Sequence, residues 1–419
     1  MHAPAVILVA PNVSEQMGGE AIKSLQIYFE LERRGVGVHL VTHSRVREEV
    51  ARRWPAMKVD YVEDDWLQLL AWRSVLLRPA LALIFQHRAR PLVERLLHRY
   101  PGAVVHYTSP VSPVLPYFPP GNAGVVIGPL NGNIHYPPAF RHREGLSYKL
   151  RRWTHPVLQA LHRALFAGKK RADVLLVSGG ERTRESLRLS GCRNEQFVDC
   201  VDTGVLAELW RAPPVRHVGR NLTFVHNGRL VPHKGVDLIL LSMTRTRLAV
   251  RLKLIGKGPE LARLRQLARK LQLSERLSFV EWFEDHREVH RALRECRGLV
   301  FPSLAEANGI VVQEAMTIGL PVIALDWGGP ASLLTKDTGL LIAPQSEAQV
   351  IHDLADAMDR LAEDAHLANR IALNARRSAE RAGFLWSDII DRWLPLYEKV
   401  RQEHSCERVT GPTRPGSVR

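Results

Sequence analysis

The chain has 419 residues, 45% of them hydrophobic and 24% charged, which marks a globular protein large enough for two or three domains. Its most apolar run in the N-terminal half, SVLLRPALALIF (74–85), is broken by Arg78 and Pro79 and is far shorter than the ~20 residues a bilayer span needs. The formal net charge of +15 favours an anionic partner, whether a phosphorylated substrate, an acidic membrane surface or nucleic acid. Nucleic acid is disfavoured, because no basic stretch interleaved with aromatics has RNA-binding spacing.

MHAPAVILVAP lacks a basic n-region and runs into a glycine loop, so it reads as a first core strand rather than a signal peptide. In the next stretch, a loop with Gly18 and Gly19 leads to a helix carrying Ile22, Leu25 and Phe29, then Gly35 and a second strand. That β-α-β order implies a parallel sheet. Further strands are expected at GAVVHYTS (102–109), AGVVIGPL (123–130) and ADVLLVSG (172–179). RAPPVRHVGRN (211–221), proline-containing and without period, reads as a linker. The scheme then restarts, with strands in LTFVHNGR, RLKLIGKG, LSFVEWF, GLVFPSL and PVIALDW, and GFLWSDIIDRWLPLYEKV (383–400) reads as an aromatic amphipathic helix. The expected fold class is α/β, with two Rossmann-like doubly wound domains around a cleft. The expected boundaries are 1–205, a linker over 206–220, a second domain over 221–382, a C-terminal helix over 383–402 and a disordered tail over 403–419. Cys192, Cys200, Cys296 and Cys406 show no metal-type spacing. They are expected as reduced thiols in a cytoplasmic protein, and no metal site is argued.

FPSLAEANGIVVQEAMTIGLPV (301–322) places Glu306 in a strand-to-helix loop and Glu314 about one turn into the helix. Ligands of open α/β sheets bind beyond the carboxyl ends of the strands, where a helix start suits a phosphate. Carboxylates there would repel a phosphate, so they are better suited to accept hydrogen bonds from neutral hydroxyls. A nucleotide sugar carries both groups. HNGRLVPHKG (226–235) puts Arg229 and Lys234 in another loop of this kind, one planar fork and one point charge for a diphosphate. IGKGPE (255–260) adds Gly256 and Gly258 at the same sheet edge. The N-terminal glycine pair is no nicotinamide fingerprint, since GxGxxG is absent, yet it could approach a phosphate. His106, ending a strand, and His135, in GPLNGNIHYPP, are candidate site histidines beside the ordinary reading of a structural histidine.

Together, GRLVPHKG, IGKGPE and FPSLAEANGIVVQEAMTIGLPVIA resemble the retaining nucleotide-sugar glycosyltransferases of family 4, which have the GT-B fold, over residues 221–345. FLWSDII is similar to that family's C-terminal helix, which crosses back to the first domain. The resemblance implies that Arg229 and Lys234 bind the donor diphosphate, Glu306 the sugar hydroxyls and Glu314 the ribose. It implies that the backbone of Asn308, Gly309, Ile310 and Val311 meets sugar and phosphate. Gly128-Pro129 stands where the family often has a histidine, and VDTGV (201–205) replaces the usual NGVD. The partners so implied are a nucleoside-diphosphate sugar and a lipid-linked or saccharide acceptor, with no cofactor. A sugar-nucleotide epimerase of similar fold and a catalytically silent relative are the rival readings. Residues 66–99 combine Trp66, Trp72, Leu76, Leu77, Leu81 and Phe85 with six arginines. They are therefore either a surface for the inner membrane face or a core-facing segment with solvated charges.

Overall fold

The computed structural model describes residues 5–15, 17, 19–73, 80–281, 283 and 286–409. Gly18, Leu76, Leu77 and Arg78 lie outside the described residues. Two compact units form. The first comprises the chain through Asn133, Thr154–Asp202 and the chain from Trp386, while the second comprises Ile134–Trp153 and Thr203–Leu385.

In the first unit seven parallel strands, β1 (Val6–Val9), β2 (Val38–His43), β3 (Val59–Val62), β4 (Val104–Tyr107), β5 (Val125–Leu130), β6 (Val174–Val177) and β7 (Phe197–Asp199), run in the order β3-β2-β1-β4-β5-β6-β7. The central strands are buried on both faces, which accounts for the unbroken Val/Ile/Leu runs of β1 and β6. The edge strands β3 and β7 are only partly buried, short, and each carries an aspartate, so neither was expected as a strand. The last helix, Trp386–Val409, returns to this unit and sets Trp386, Ile389, Ile390, Trp393 and Val400 into its core. Residues 403–409 thus continue a helix where a disordered tail was expected.

The second unit has six parallel strands, β8 (Thr223–Asn227), β9 (Arg251–Ile255), β10 (Leu277–Val280), β11 (Gly298–Phe301), β12 (Val322–Leu325) and β13 (Leu340–Ile342), in the order β10-β9-β8-β11-β12-β13. Both sheets reverse direction of growth about their first strand, the doubly wound order that opens a crevice at the strand ends. Two boundaries differ from the sequence expectation. Residues 134–153 fall inside the expected first domain, yet Tyr136 and Phe140 are buried in the second unit's core. Arg143 there grips Glu347 with two hydrogen bonds of 2.8 and 2.9 Å and reaches Asp237 at 3.1 Å. The expected linker is also fixed to the second unit: Val215 N–H donates to the Ile318 carbonyl, and Arg376 donates to the carbonyls of Trp210 and Ala212. Aperiodic sequence there reflects irregular packing, not freedom.

Candidate functional site

Three loops of the second unit leave the carboxyl ends of neighbouring strands. After β8, Gly228–Val231 leads through a short 3-10 turn, Pro232–Lys234, into the helix Val236–Met243. After β9, the segment Gly256-Lys257-Gly258 lies directly against this loop. Leu230 N–H donates to the Lys257 carbonyl at 2.8 Å, and Gly228 N–H to Ile255 at 3.0 Å. A Cβ on Gly256 (φ +142°) would collide with the Gly228 carbonyl, and one on Gly258 with that of Leu230. These glycines therefore allow two loops to touch, which holds the Arg229–Lys234 loop in place. Their direct contribution here is to loop packing.

After β11, residues 302–309 turn into the helix Ile310–Ile318, whose first backbone N–H groups have no intrahelical partner. This loop meets the first one through charge: the Lys234 ammonium donates to Glu306 Oε2, both side chains being largely buried. The ammonium also lies 4.8 Å from the Phe301 ring centroid. The diphosphate cation and the sugar carboxylate expected from sequence thus form an ion pair with each other. Arg229 is exposed and enters no ion pair among the described residues. Asn308 is held by Gln313, its amide donating to Oε1 at 3.1 Å. Glu314, one turn into the helix, faces the His290 ring with Oε1 3.7 Å from Nε2.

His135 joins this site through the backbone: the Trp327 indole N–H donates to its carbonyl at 2.8 Å, and Gly329, two residues on from Trp327, donates its N–H to the Glu306 carbonyl at 2.8 Å. Burial lowers the pKa of its imidazole. Two residues not singled out from sequence belong here. The Tyr148 ring lies tilted against that of His233, with centroids 5.8 Å apart, and its phenol pKa is raised by burial, lowered by the Arg151 charge and raised by that of Glu306. His233 is held down to about 4 by burial and then by neighbouring Lys234, so at neutral pH it is an uncharged donor or acceptor. Tyr148 carried no motif, because its partner lies 85 positions away in the chain.

His106 is corrected by the structure. It is fully buried in the first unit, donating from Nε2 to the Gly128 carbonyl at 2.9 Å. Its Nδ1 consequently accepts from the Tyr397 hydroxyl at 2.8 Å. Burial holds its pKa down to about 4. One ring nitrogen thus ties β4 to β5 and the other fastens the C-terminal helix to the sheet, a structural role. At the carboxyl edge of the first sheet, a cavity of 360 Å³ is lined by residues including Asn12, Glu20, His43, Gln68, Phe85 and Ser109. Gly19 begins the adjoining helix Gly19–Arg33. In the segment 66–99 the core-facing alternative holds for Phe85, Ala89, Val93 and Leu96, which face the first unit's core, while Arg88 pairs with Asp65 and Arg90 with Glu94. Trp66 is exposed.

Residues 212–378 match the family model Glycosyl transferases group 1. Among curated proteins, the chain is 31% identical over 255 residues to a GDP-mannose-dependent alpha-mannosyltransferase of Mycobacterium tuberculosis, covering 61% of each. It is 26% identical over 229 residues to the phosphatidylinositol N-acetylglucosaminyltransferase gpi3 subunit of Schizosaccharomyces pombe, covering 54% of this chain and 49% of that one. The chain thus spans roughly half to three fifths of the length of these relatives. Among solved structures, Anabaena Alr3699/HepE in complex with UDP and glucose aligns with a TM-score of 0.60 and 18% identity over 97% of this chain and 99% of that one. No helix among the described residues is long and apolar enough to cross a membrane. The fold of both units is therefore that of the GT-B proteins, and Arg229, Lys234, Glu306 and Glu314 all lie within the segment that matches glycosyl transferases group 1.

Proposed function

We propose that the protein is a retaining glycosyltransferase of family 4 that takes a nucleoside-diphosphate sugar as donor and a lipid-linked or saccharide hydroxyl as acceptor. The observation that carries the proposal is the Lys234–Glu306 pair beside exposed Arg229, at the strand ends of the segment with glycosyl transferases group 1 likeness. As the bond between the anomeric carbon and the diphosphate oxygen breaks, negative charge grows on the leaving phosphate. Lys234, Arg229 and the N–H groups at the start of the helix Ile310–Ile318 are positioned to stabilise that charge, usually the largest catalytic contribution. Glu306 accepts hydrogen bonds from sugar hydroxyls and steadies the oxocarbenium-like centre. The acceptor oxygen attacks on the leaving-group face and passes its proton to the departing phosphate oxygen. Configuration is thereby retained without a protein base. Glu314 binds the ribose, and the 360 Å³ cavity of the first unit receives the acceptor. The complex of Anabaena HepE with UDP and glucose supports a uridine donor as the first to test.

A thermal-shift screen of UDP-, GDP- and ADP-sugars tests the donor, since a ligand at 100 times its Kd stabilises by about 2.7 kcal/mol. Product analysis separates the rivals: an epimerase converts the nucleotide sugar without acceptor, and a silent relative binds it without turnover.

A further inference from the structure

The helix Leu146–Leu165 is amphipathic and packs the wrong way round for a soluble surface. Its polar residues Gln159 and His162 are the buried ones, at 1% and 8% exposure, with the Gln159 amide donating to Ser186 Oγ. Its apolar residues Leu146, Leu150, Trp153, Val157, Leu161 and Leu165 are 48% to 83% exposed. At 3.6 residues per turn these six lie within an arc of about 120° along a helix about 30 Å long. The part within the first unit, Val157 to Leu165, already forms such a face, and Trp153, Leu150 and Leu146 extend it along the same helix.

The charge beside the face names its partner. LSYKLRRWTHPVLQALHRAL contains no acidic residue, and Lys149, Arg151 and Arg163 are exposed on the flanks of the apolar arc. A second copy of this chain would bring the same cations together, which costs energy, whereas anionic headgroups neutralise them. An apolar stripe bearing a tryptophan between rows of Lys and Arg matches the headgroup boundary of a bilayer, where aromatic and aliphatic side chains enter and cations stay at the phosphates. We propose that the helix Leu146–Leu165 docks the protein on an anionic membrane. It is this helix, and not the segment 66–99, that presents the lipid-facing surface. The inference deepens the lipid-linked branch of the acceptor proposal, but its test requires neither donor nor turnover.

Co-sedimentation of the full chain with vesicles of phosphatidylcholine, alone or with about a third phosphatidylglycerol, decides it. Binding to the anionic vesicles only, weakened by salt, is expected. Lys149→Ala with Arg163→Ala should lower the partition about twenty-five-fold, at roughly fivefold per cation. Trp153→Ala should lower it at least about tenfold. All three side chains are exposed, and unchanged thermal melting of the variants checks that folding is intact. Val157→Glu should abolish binding, while Arg88→Glu, on the segment 66–99, should leave it unchanged. Equal binding to both vesicle types, wild-type binding by Val157→Glu, or no vesicle binding with a dimer that Val157→Glu dissociates would each overturn the proposal. Nucleotide binding, measured separately by calorimetry, reports on the donor site whatever the vesicles do.

Discussion

Glu306→Gln offers the sharpest test of the charge arrangement in the second unit. The Lys234 ammonium is paired with Glu306, both side chains being largely buried. A diphosphate arriving at Lys234 has to share that ammonium and also meets the carboxylate's repulsion. Two unit charges about 4 Å apart interact by about 1 kcal/mol in water and about 4 kcal/mol at an effective dielectric of 20. A partly buried site lies between these limits, so removing the carboxylate charge should favour diphosphate binding by about 1–3 kcal/mol, or roughly 5- to 150-fold. The same substitution leaves the ammonium unpaired in the free protein, so melting without ligand should occur earlier. Turnover should fall, because Glu306 is assigned to the sugar hydroxyls. Calorimetry with a nucleoside diphosphate at low and moderate salt, alongside steady-state kinetics, reads both effects. A folded Glu306→Gln that binds the diphosphate no more tightly than wild type would refute the reasoning.

Lys234→Ala should weaken nucleoside diphosphate binding and lower kcat by roughly 10²-fold; normal turnover in a folded variant would reject the phosphate assignment. Glu314→Ala should weaken binding of a nucleoside diphosphate while leaving inorganic diphosphate unaffected, and equal loss of both would remove the ribose role. Gly256→Ala, which forces a Cβ onto the Gly228 carbonyl at φ +142°, should destabilise by about 3 kcal/mol or more in urea unfolding; a loss below about 1 kcal/mol would show that the loops can part. His106 and His226 are fully buried with pKa values held down to about 4. Because the unfolded histidines titrate near 6.5, the unfolded state binds more protons between these values, and stability is lost as pH falls through that window. The slope is about 1.4 kcal/mol per pH unit for each. His106→Gln should flatten the slope of melting against pH between about 6.5 and 4.5, and an unchanged slope would place the titration elsewhere.

Much of this protein is written locally. β1, β4, β5, β6, β8, β11 and β12 are apolar runs because parallel strands are covered on both faces, and each was legible. The cations and glutamates at the strand ends were legible too, since loop chemistry at a sheet edge depends on neighbouring residue types. The edge strands β3, β7 and β13 were not, because β3 and β7 are short and each carries an aspartate, and β13 has only three residues, too few to show a period. Other features depended on partners distant in the chain. Residues 134–153 follow directly from β5, yet Tyr136 and Phe140 complete the core of the second unit, an allegiance no periodicity records. Lys234 and Glu306 were each assigned a ligand, and only the fold revealed that across 72 positions they also hold each other. The helix Leu146–Leu165 makes the division plainest. Its sequence determines that one face is apolar and the other polar. Which face meets solvent was decided by the tertiary structure, because within the first unit a pocket for Gln159 beside Ser186 leaves Val157, Leu161 and Leu165 outside.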